Sequence, residues 1–270
     1  MALVRIGDAE LDVERSGSGA GRPPLLLIMG MSGTALHWGE PFLEQLRADF
    51  DVIAFDNRGV GASTRLDGPI TTAEMAADAI ALLQGLDIDS AHVLGISMGG
   101  MIAQELALAA PERVRTLTIG CSYCGGPGSE VASQAVLERL RDAMMSGDRE
   151  RAVRTGWEVN VSPAFAADEQ AWQRFKAITE ERAVAVPVVL AQLRACTAHD
   201  TSARLGALEM PTLVIHGTLD EMLPVSNGYM IASLIGGSQL EILEGTGHLF
   251  FWEHPEQTAA LLRAHAAVPA

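Results

Sequence analysis

Apolar and polar residues follow different patterns in successive parts of the chain. Near the start, the stretches Leu3–Ile6 and Glu10–Glu14 alternate residue by residue, and Gly7 to Ala9 separates them. Period-two alternation interrupted by a glycine-containing turn predicts a β-hairpin. The Ser16–Gly19 run that follows has the composition of a flexible linker.

Beyond this run, continuous apolar stretches alternate with stretches of helical periodicity. The first pattern is typical of strands buried on both faces, and repeated strand–helix alternation predicts a parallel sheet with helices on both sides. The predicted strands are Pro24–Gly30, Asp51–Asp56, Ala91–Ser97, Val114–Gly120, Pro211–Gly217 and Gln239–Leu243. The predicted helices are Thr71–Leu86, Met98–Ala109, Val225–Ile235 and Pro255–Ala266.

Residues 125–205, called the inserted segment below, interrupt this alternation. Their pattern is largely helical and contains no convincing strand. We interpret the inserted segment as a helical cap between two sheet strands, and residues 1–124 and 206–270 as the α/β core.

Composition narrows the classes of partner. The net charge of −15 repels phosphate backbones and anionic lipid surfaces, so nucleic acid and membranes are poor partners. No stretch approaches the roughly 18 apolar residues of a membrane helix, and Arg5 and Asp8 interrupt the start where a secretory signal needs an apolar run. We therefore expect a cytoplasmic protein. Cys121 and Cys124 form a lone CxxC, which we interpret as core residues rather than a metal or redox site.

The candidate nucleophile is Ser97, in the stretch Gly95-Ile96-Ser97-Met98-Gly99 between a predicted strand and a predicted helix. In that context G-x-S-x-G predicts a sharp turn that lifts the serine hydroxyl above the carboxyl edge of the sheet. The same turn points the backbone N–H of Met98 into that space, at the positive end of a helix.

A serine hydroxyl needs a base, and the base needs an acceptor that fixes its tautomer. Of the seven histidines, His248 lies in a glycine-containing turn directly after the last predicted strand, at the same sheet edge as Ser97. Asp220 follows the strand before it and is the candidate acid, with its neighbour Glu221 as the alternative. We interpret His216, inside a buried strand, as a core histidine.

The order Ser97, Asp220, His248, each after a different parallel strand, resembles the α/β-hydrolase superfamily. Further stretches are similar to that family's motifs: Met29-Gly30-Met31-Ser32-Gly33, Asp56-Asn57-Arg58-Gly59-Val60-Gly61-Ala62-Ser63, and Gly247-His248 with His254-Pro255-Glu256. The resemblance covers essentially the whole chain and implies a mostly parallel, eight-stranded sheet.

The resemblance also implies an oxyanion hole formed by the backbone N–H groups of Met31 and Met98. Met29 stands where the family usually has histidine, so bracing of this loop by that side chain is lost. We interpret Asp56 and Arg58 as residues that brace their turn. No metal or organic cofactor is expected.

The sequence therefore predicts a serine hydrolase of carboxylic esters or lactones, similar to small bacterial esterases and lactonases. We expect a small-molecule substrate with an apolar acyl group, N-acyl-homoserine lactones among the candidates, and a pocket that includes Trp38, Trp157 and Trp172. Two alternatives remain. One is a cofactor-free perhydrolase, because Met98 resembles the Met that follows the serine in relatives with that activity. The other is a non-catalytic ligand receptor on the same fold. The sequence does not indicate the oligomeric state.

Overall fold

One eight-stranded sheet organises the computed structural model, which describes residues 1–17 and 21–268. Ser18 and Gly19 of the predicted linker therefore lie outside the described residues. The strand order is β1-β2-β4-β3-β5-β6-β7-β8. The strands are β1 (Ala2–Ile6), β2 (Ala9–Ser16), β3 (Pro24–Ile28), β4 (Asp51–Phe55), β5 (Ala91–Ile96), β6 (Val114–Gly120), β7 (Thr212–Gly217) and β8 (Gln239–Leu243). The predicted fold class is confirmed.

The sheet is antiparallel only at its β1 edge. There β1 pairs with β2 and β2 pairs with β4 in antiparallel register, and the remaining neighbours are parallel. Ile6 pairs with Ala9 across a two-residue turn in which Gly7 has φ 61°, a conformation that glycine adopts without a Cβ clash.

Helices cover both faces of the sheet. They are α1 (Glu40–Arg47), α2 (Thr72–Gly85), α3 (Met98–Ala109), α4 (Gln134–Met145), α5 (Arg149–Asn160), α6 (Pro163–Ala166), α7 (Glu169–Glu181), α8 (Val186–Ala198), α9 (Ser226–Leu234), α10 (Phe250–Glu253) and α11 (Pro255–Ala266). Three short 3₁₀ helices are Ala35–Trp38, Pro111–Arg113 and Leu205–Ala207. At the start of α2, the Thr71 hydroxyl accepts the N–H of Glu74 at 3.1 Å, as expected for a capping box.

The continuous apolar strands contribute to two cores at once. Leu26 and Ile28 of β3 pack in one cluster with residues of α2 and α3, and Leu25 and Leu27 pack in another with residues of α1 and α11. Alternate side chains of a strand point to opposite faces. A strand covered on both faces must therefore be apolar at every position.

The inserted segment lies between β6 and β7 and holds helices α4 to α8, with no strand. Its link to the core is partly aromatic, because Trp157 of α5 packs edge-on against Trp252 of α10 with ring centroids 5.7 Å apart. Within the described ranges, none of the helices combines the length and the apolar character that crossing a bilayer requires.

The parallel register aligns the ends of three strands. Ile96 of β5 pairs with Gly120 of β6, which pairs with Ile215 of β7. The residues that follow, Ser97, Cys121 and His216, therefore stand level with one another near the carboxyl edge of the sheet.

Candidate active site

Ser97 occupies a strained turn between β5 and α3. Its φ of 56° and ψ of −123° lie where a residue with a Cβ is unfavourable, and such strain is found at functional sites when the surroundings enforce it. Two contacts enforce it here. The Ser97 N–H donates to the carbonyl of Gly120 at 2.9 Å, and the Ser122 hydroxyl donates to the carbonyl of Ser97 at 2.8 Å.

The glycines on either side of Ser97 have a steric role. A Cβ on Gly95 would lie 2.1 Å from the carbonyl oxygen of Gly99, and a Cβ on Gly99 would lie 1.9 Å from that of Ile28. Both contacts are with backbone, which cannot move aside without displacing α3 or strand β3. This explains why the turn needs small residues two positions before and two positions after the serine.

Asp220 and His248 form a buried pair. Nδ1 of His248 lies 2.7 Å from Oδ2 of Asp220, and the other carboxylate oxygen accepts the N–H groups of Met222 and Leu223 at 2.9 Å each. Burial alone would raise the pKa of Asp220. The nearby His248 and the hydrogen bonds from His216 and His248 outweigh it and hold that pKa well below its usual range. The acid is therefore a fixed, ionised acceptor.

The Ser97 hydroxyl is not yet engaged by this pair. The hydrogen bonds of residues 1–17 and 21–268 include the one between Asp220 and His248 but none from the hydroxyl of Ser97. Hydrogen bonds between catalytic groups are often long or misaligned before substrate binds.

The alternative acid, Glu221, faces solvent. Its side chain is 46% exposed and pairs with Arg139 at 2.7 Å, whereas the side chain of Asp220 is fully buried. Of the two neighbouring acids, only Asp220 contacts the histidine.

His216 is a second partner of Asp220, which the sequence did not predict. Its Nε2 lies 2.7 Å from the carbonyl oxygen of Leu223 and 3.3 Å from Oδ2 of Asp220. It is a buried histidine, as predicted, but it also contacts the acid. The available signal was its place at the end of the strand that Asp220 follows.

Cys121 is the other neighbour that the sequence did not place here. The Sγ of Cys121, a carboxylate oxygen of Asp220 and a ring nitrogen of His248 lie within 4.8 Å of one another, and all three residues are buried. Metal ligation by sulfur requires the thiolate. Burial, with the charge of Asp220 nearby, raises the pKa of the Cys121 thiol well above its ordinary value. Together with the direct Asp220–His248 hydrogen bond, this favours a neutral thiol packed beside the pair over a metal ligand.

The loop after β3 lies directly against Ser97. A Cβ on Gly30 would stand 3.1 Å from Cβ of Ser97 and 3.6 Å from its hydroxyl oxygen, so this close approach favours glycine. Within this loop the N–H of Gly33 donates to the carbonyl of Gly30 at 3.3 Å. In the described parts of the chain, the N–H groups of Met31 and Met98 have no protein acceptor.

Asp56 and Arg58 bind structural partners. Asp56 is fully buried and accepts the N–H of Ala35 at 2.7 Å, and it lies 3.2 Å from the guanidinium of Arg182. Burial raises the pKa of Asp56, although Ala35 and Arg182 oppose the shift. Arg58 makes two hydrogen bonds of 2.7 Å to Asp78. These contacts fit the bracing role that the sequence indicated.

The three tryptophans of the predicted pocket are packed among other side chains. Trp38 and Trp157 are fully buried and Trp172 nearly so. The Trp172 ring carries the Arg154 guanidinium 4.9 Å from its centroid. The aromatic neighbours are Phe42 and Phe251 for Trp38, and Phe165, Phe175 and Trp252 for Trp157. Of these contacts, the one between Trp157 and Trp252 joins the inserted segment to the core.

A cavity of about 570 Å³ opens between the inserted segment and the loop after β7. Its lining includes Asp220, but neither Ser97 nor His248. Its charged rim residues are already paired, Arg139 with Glu221 and Arg154 with Glu158. The cavity therefore adjoins the acid and not the serine.

Residues 23–255 match the family model described as the alpha/beta hydrolase fold. The chain belongs to the α/β-hydrolase family. Among curated members, this hydrolase is 32% identical over 256 residues to a provisionally named carbamate hydrolase, RutD of Azorhizobium caulinodans, with 93% of this chain and 92% of that protein covered. It is 31% identical over 269 residues to rhodomycin D methylesterase DnrP of Streptomyces peucetius, with 90% of each covered.

A solved structure of the same fold extends the comparison. Est816, described as an N-acyl homoserine lactone degrading enzyme, is 25% identical and superposes on this hydrolase with a TM-score of 0.77. The match covers 97% of this chain and 99% of that one.

Proposed function

We propose that the protein is a serine hydrolase of carboxylic esters or lactones that forms an acyl-enzyme at Ser97. One observation carries the proposal: an ionised, buried Asp220 fixes His248 at 2.7 Å, at the sheet edge where the strained turn presents Ser97. This arrangement supplies a nucleophile, a base and a group that orients the base.

The proposed reaction has two halves. Ser97 attacks the acyl carbonyl while Nε2 of His248 takes the hydroxyl proton, and the N–H groups of Met31 and Met98 stabilise the oxyanion. His248 then gives that proton to the leaving alcohol. Water, activated by His248, attacks the acyl-enzyme and releases the acid. Asp220 accepts a hydrogen bond from the Nδ1–H of His248 throughout, remains ionised and stabilises the charged imidazole.

The proposed substrates are esters and lactones with apolar acyl groups. The relatives named for a methyl ester, a carbamate and an acyl-homoserine lactone indicate acyl compounds with varied leaving groups. A small apolar cluster of Met101, Tyr123 and Leu223 supports the acyl preference, because Met101 follows Ser97 closely in sequence and Leu223 follows Asp220 closely. The tryptophans provide weaker support than the sequence indicated, because packing contacts enclose them.

Replacing the nucleophile tests the mechanism. Ser97→Ala removes one oxygen, so we expect a folded protein whose ester hydrolysis falls by about 10⁴-fold or more. Mass spectrometry after a fluorophosphonate probe should find wild-type protein modified at Ser97. Activity of Ser97→Ala within tenfold of wild type would refute the proposal. A wild-type protein that never becomes labelled would favour a ligand receptor.

A substrate panel tests the acyl preference. Each acyl methylene buried is worth about 0.8 kcal/mol, so kcat/KM should rise from C2 to C6 and C8 p-nitrophenyl esters. Short- and long-chain N-acyl-homoserine lactones and a carbamate complete the panel, and peracid formation with hydrogen peroxide measures the perhydrolase alternative. A steady decline from C2 upward is incompatible with an apolar acyl site.

A further inference from the structure

The loop beside Ser97 has a strained backbone conformation that a contact from outside the loop stabilises. Ser32, the residue after Met31, has φ 57°, in the region that disfavours residues with a Cβ. The turn hydrogen bond between Gly33 and Gly30 is long, at 3.3 Å. A stronger contact comes from outside the loop: the N–H of Ser32 donates to Oε1 of Gln192 at 2.8 Å.

Gln192 belongs to α8 of the inserted segment, 160 residues away in the sequence. It is 1% exposed, and the Ser32 N–H fixes its amide orientation because only the oxygen can accept. Its Nε2 is buried and has no partner within the described ranges. Burying a half-satisfied amide is unfavourable, so packing alone does not explain a glutamine where methionine would fill the same space.

We propose that Gln192 is a positioning residue for the oxyanion hole, a proposal that rests on the function proposed above. By holding the N–H of Ser32, Gln192 fixes the peptide next to the one that carries the Met31 N–H. The Met31 N–H is thereby kept directed at the space above Ser97, the residue that Gly30 approaches closely. Helix α8 thereby completes the oxyanion hole. The position of α8 on the core determines how well the Met31 N–H stabilises the transition state.

The test is Gln192→Met, which keeps the length of the side chain and removes the amide. Losing an oxyanion donor outright typically costs about 10²–10³-fold in kcat. A loosened donor should cost less, so we expect kcat to fall about 10- to 100-fold with KM within about threefold of wild type. Because a boronic acid binds serine as a tetrahedral adduct, an alkyl boronic acid should lose affinity by the same factor as kcat/KM.

Gln104→Met is the matched control. Gln104 is equally buried, and its amide bonds to the carbonyl of Tyr123 and the hydroxyl of Thr201, away from the oxyanion loop. Both variants should lower the urea midpoint, but the loss of kcat and of boronate affinity should be at least tenfold larger for Gln192→Met. If Gln192→Met does not fold, Gln192→Asn keeps the amide, withdraws its oxygen by one methylene and should give the same selective loss.

The outcomes separate this proposal from the proposed function. If wild type is labelled at Ser97 and the Gln192 variants keep kcat and boronate affinity within threefold, the positioning role is wrong and the serine mechanism stands. Equal losses in the Gln104 and Gln192 variants reduce Gln192 to a packing residue. A wild type that is never labelled at Ser97 overturns both proposals.

Discussion

Two neighbouring acids, Asp220 and Glu221, follow the same strand, and their surroundings give them different chemistry. Asp220 is enclosed by two backbone N–H groups and two histidines, which keep it ionised in spite of burial. Glu221 reaches solvent and holds an exposed arginine. At the scale of single residues, burial and hydrogen bonding decide which carboxylate can orient a base.

Asp220→Asn should lower kcat by about 10³–10⁴-fold while the protein stays folded, because an amide favours the wrong tautomer of His248. Glu221→Gln is the matched control and should retain activity within about twofold, since an exposed ion pair contributes little. Steady-state kinetics with a p-nitrophenyl ester measure both. If Glu221→Gln proves the more damaging change, the acid has been assigned to the wrong residue.

At the scale of elements, one side chain at the end of α7 ties the inserted segment to the core. Arg182 lies 2.8 Å from Asp12 of β2 and 3.2 Å from Asp56, which follows β4. Both carboxylates are buried, and Asp56 in turn accepts the N–H of Ala35, shortly after the oxyanion loop. The loop beside Ser97 is therefore linked to the inserted segment through Arg182 as well as through Gln192.

Arg182→Met should destabilise the protein by about 3 kcal/mol, because it leaves two buried carboxylates without their cation. The control is Arg141→Met, which removes an ion pair exposed on both sides and should cost less than about 1 kcal/mol. Urea unfolding at pH 7 gives both free energies. A smaller loss for Arg182→Met than for Arg141→Met would show that the core tolerates the uncompensated acids.

At the scale of the whole molecule, several histidines are buried in the neutral form. Burial lowers the pKa of His37, His92 and His199 to about 4 in each case, with the nearby Arg115 adding to the effect at His92. In the unfolded chain each has a pKa of about 6.5. Below that value the unfolded state binds protons that the folded state refuses, so stability is lost as the pH falls from about 6.5 towards 4.

The free energy of unfolding should therefore fall between pH 7 and pH 5, by up to about 2 kcal/mol per histidine. Asp220 acts in the same sense, because its pKa is also lowered in the folded state, but its contribution is lost only below about pH 4 and so lies outside this window. Urea midpoints at pH 7, 6 and 5 measure how steeply stability depends on pH. His92→Gln should lower the number of protons taken up on unfolding by up to one. A midpoint that is the same at pH 7 and pH 5 would contradict the neutral burial of these residues.

The sequence by itself determined the alternation of strands and helices, the turn at Ser97 and the order of serine, acid and histidine. Each depends on residues adjacent in the chain: an apolar run, two glycines that avoid a clash with neighbouring backbone atoms, or a polar residue just after a strand. The ends of parallel strands share one sheet edge, so this local information also indicated that Asp220 and His248 could meet.

The tertiary structure alone decided which distant side chains contact the site. Three features depend on how helices and strands pack: the approach of His216 and Cys121 to the acid, the hydrogen bond from the Ser32 N–H to Gln192, and the burial of the three tryptophans. A residue pattern records that a side chain is apolar or polar, but not which partner lies against it. Whether Trp157 lines a pocket or fills a core is fixed only when Phe165, Phe175 and Trp252 close around it.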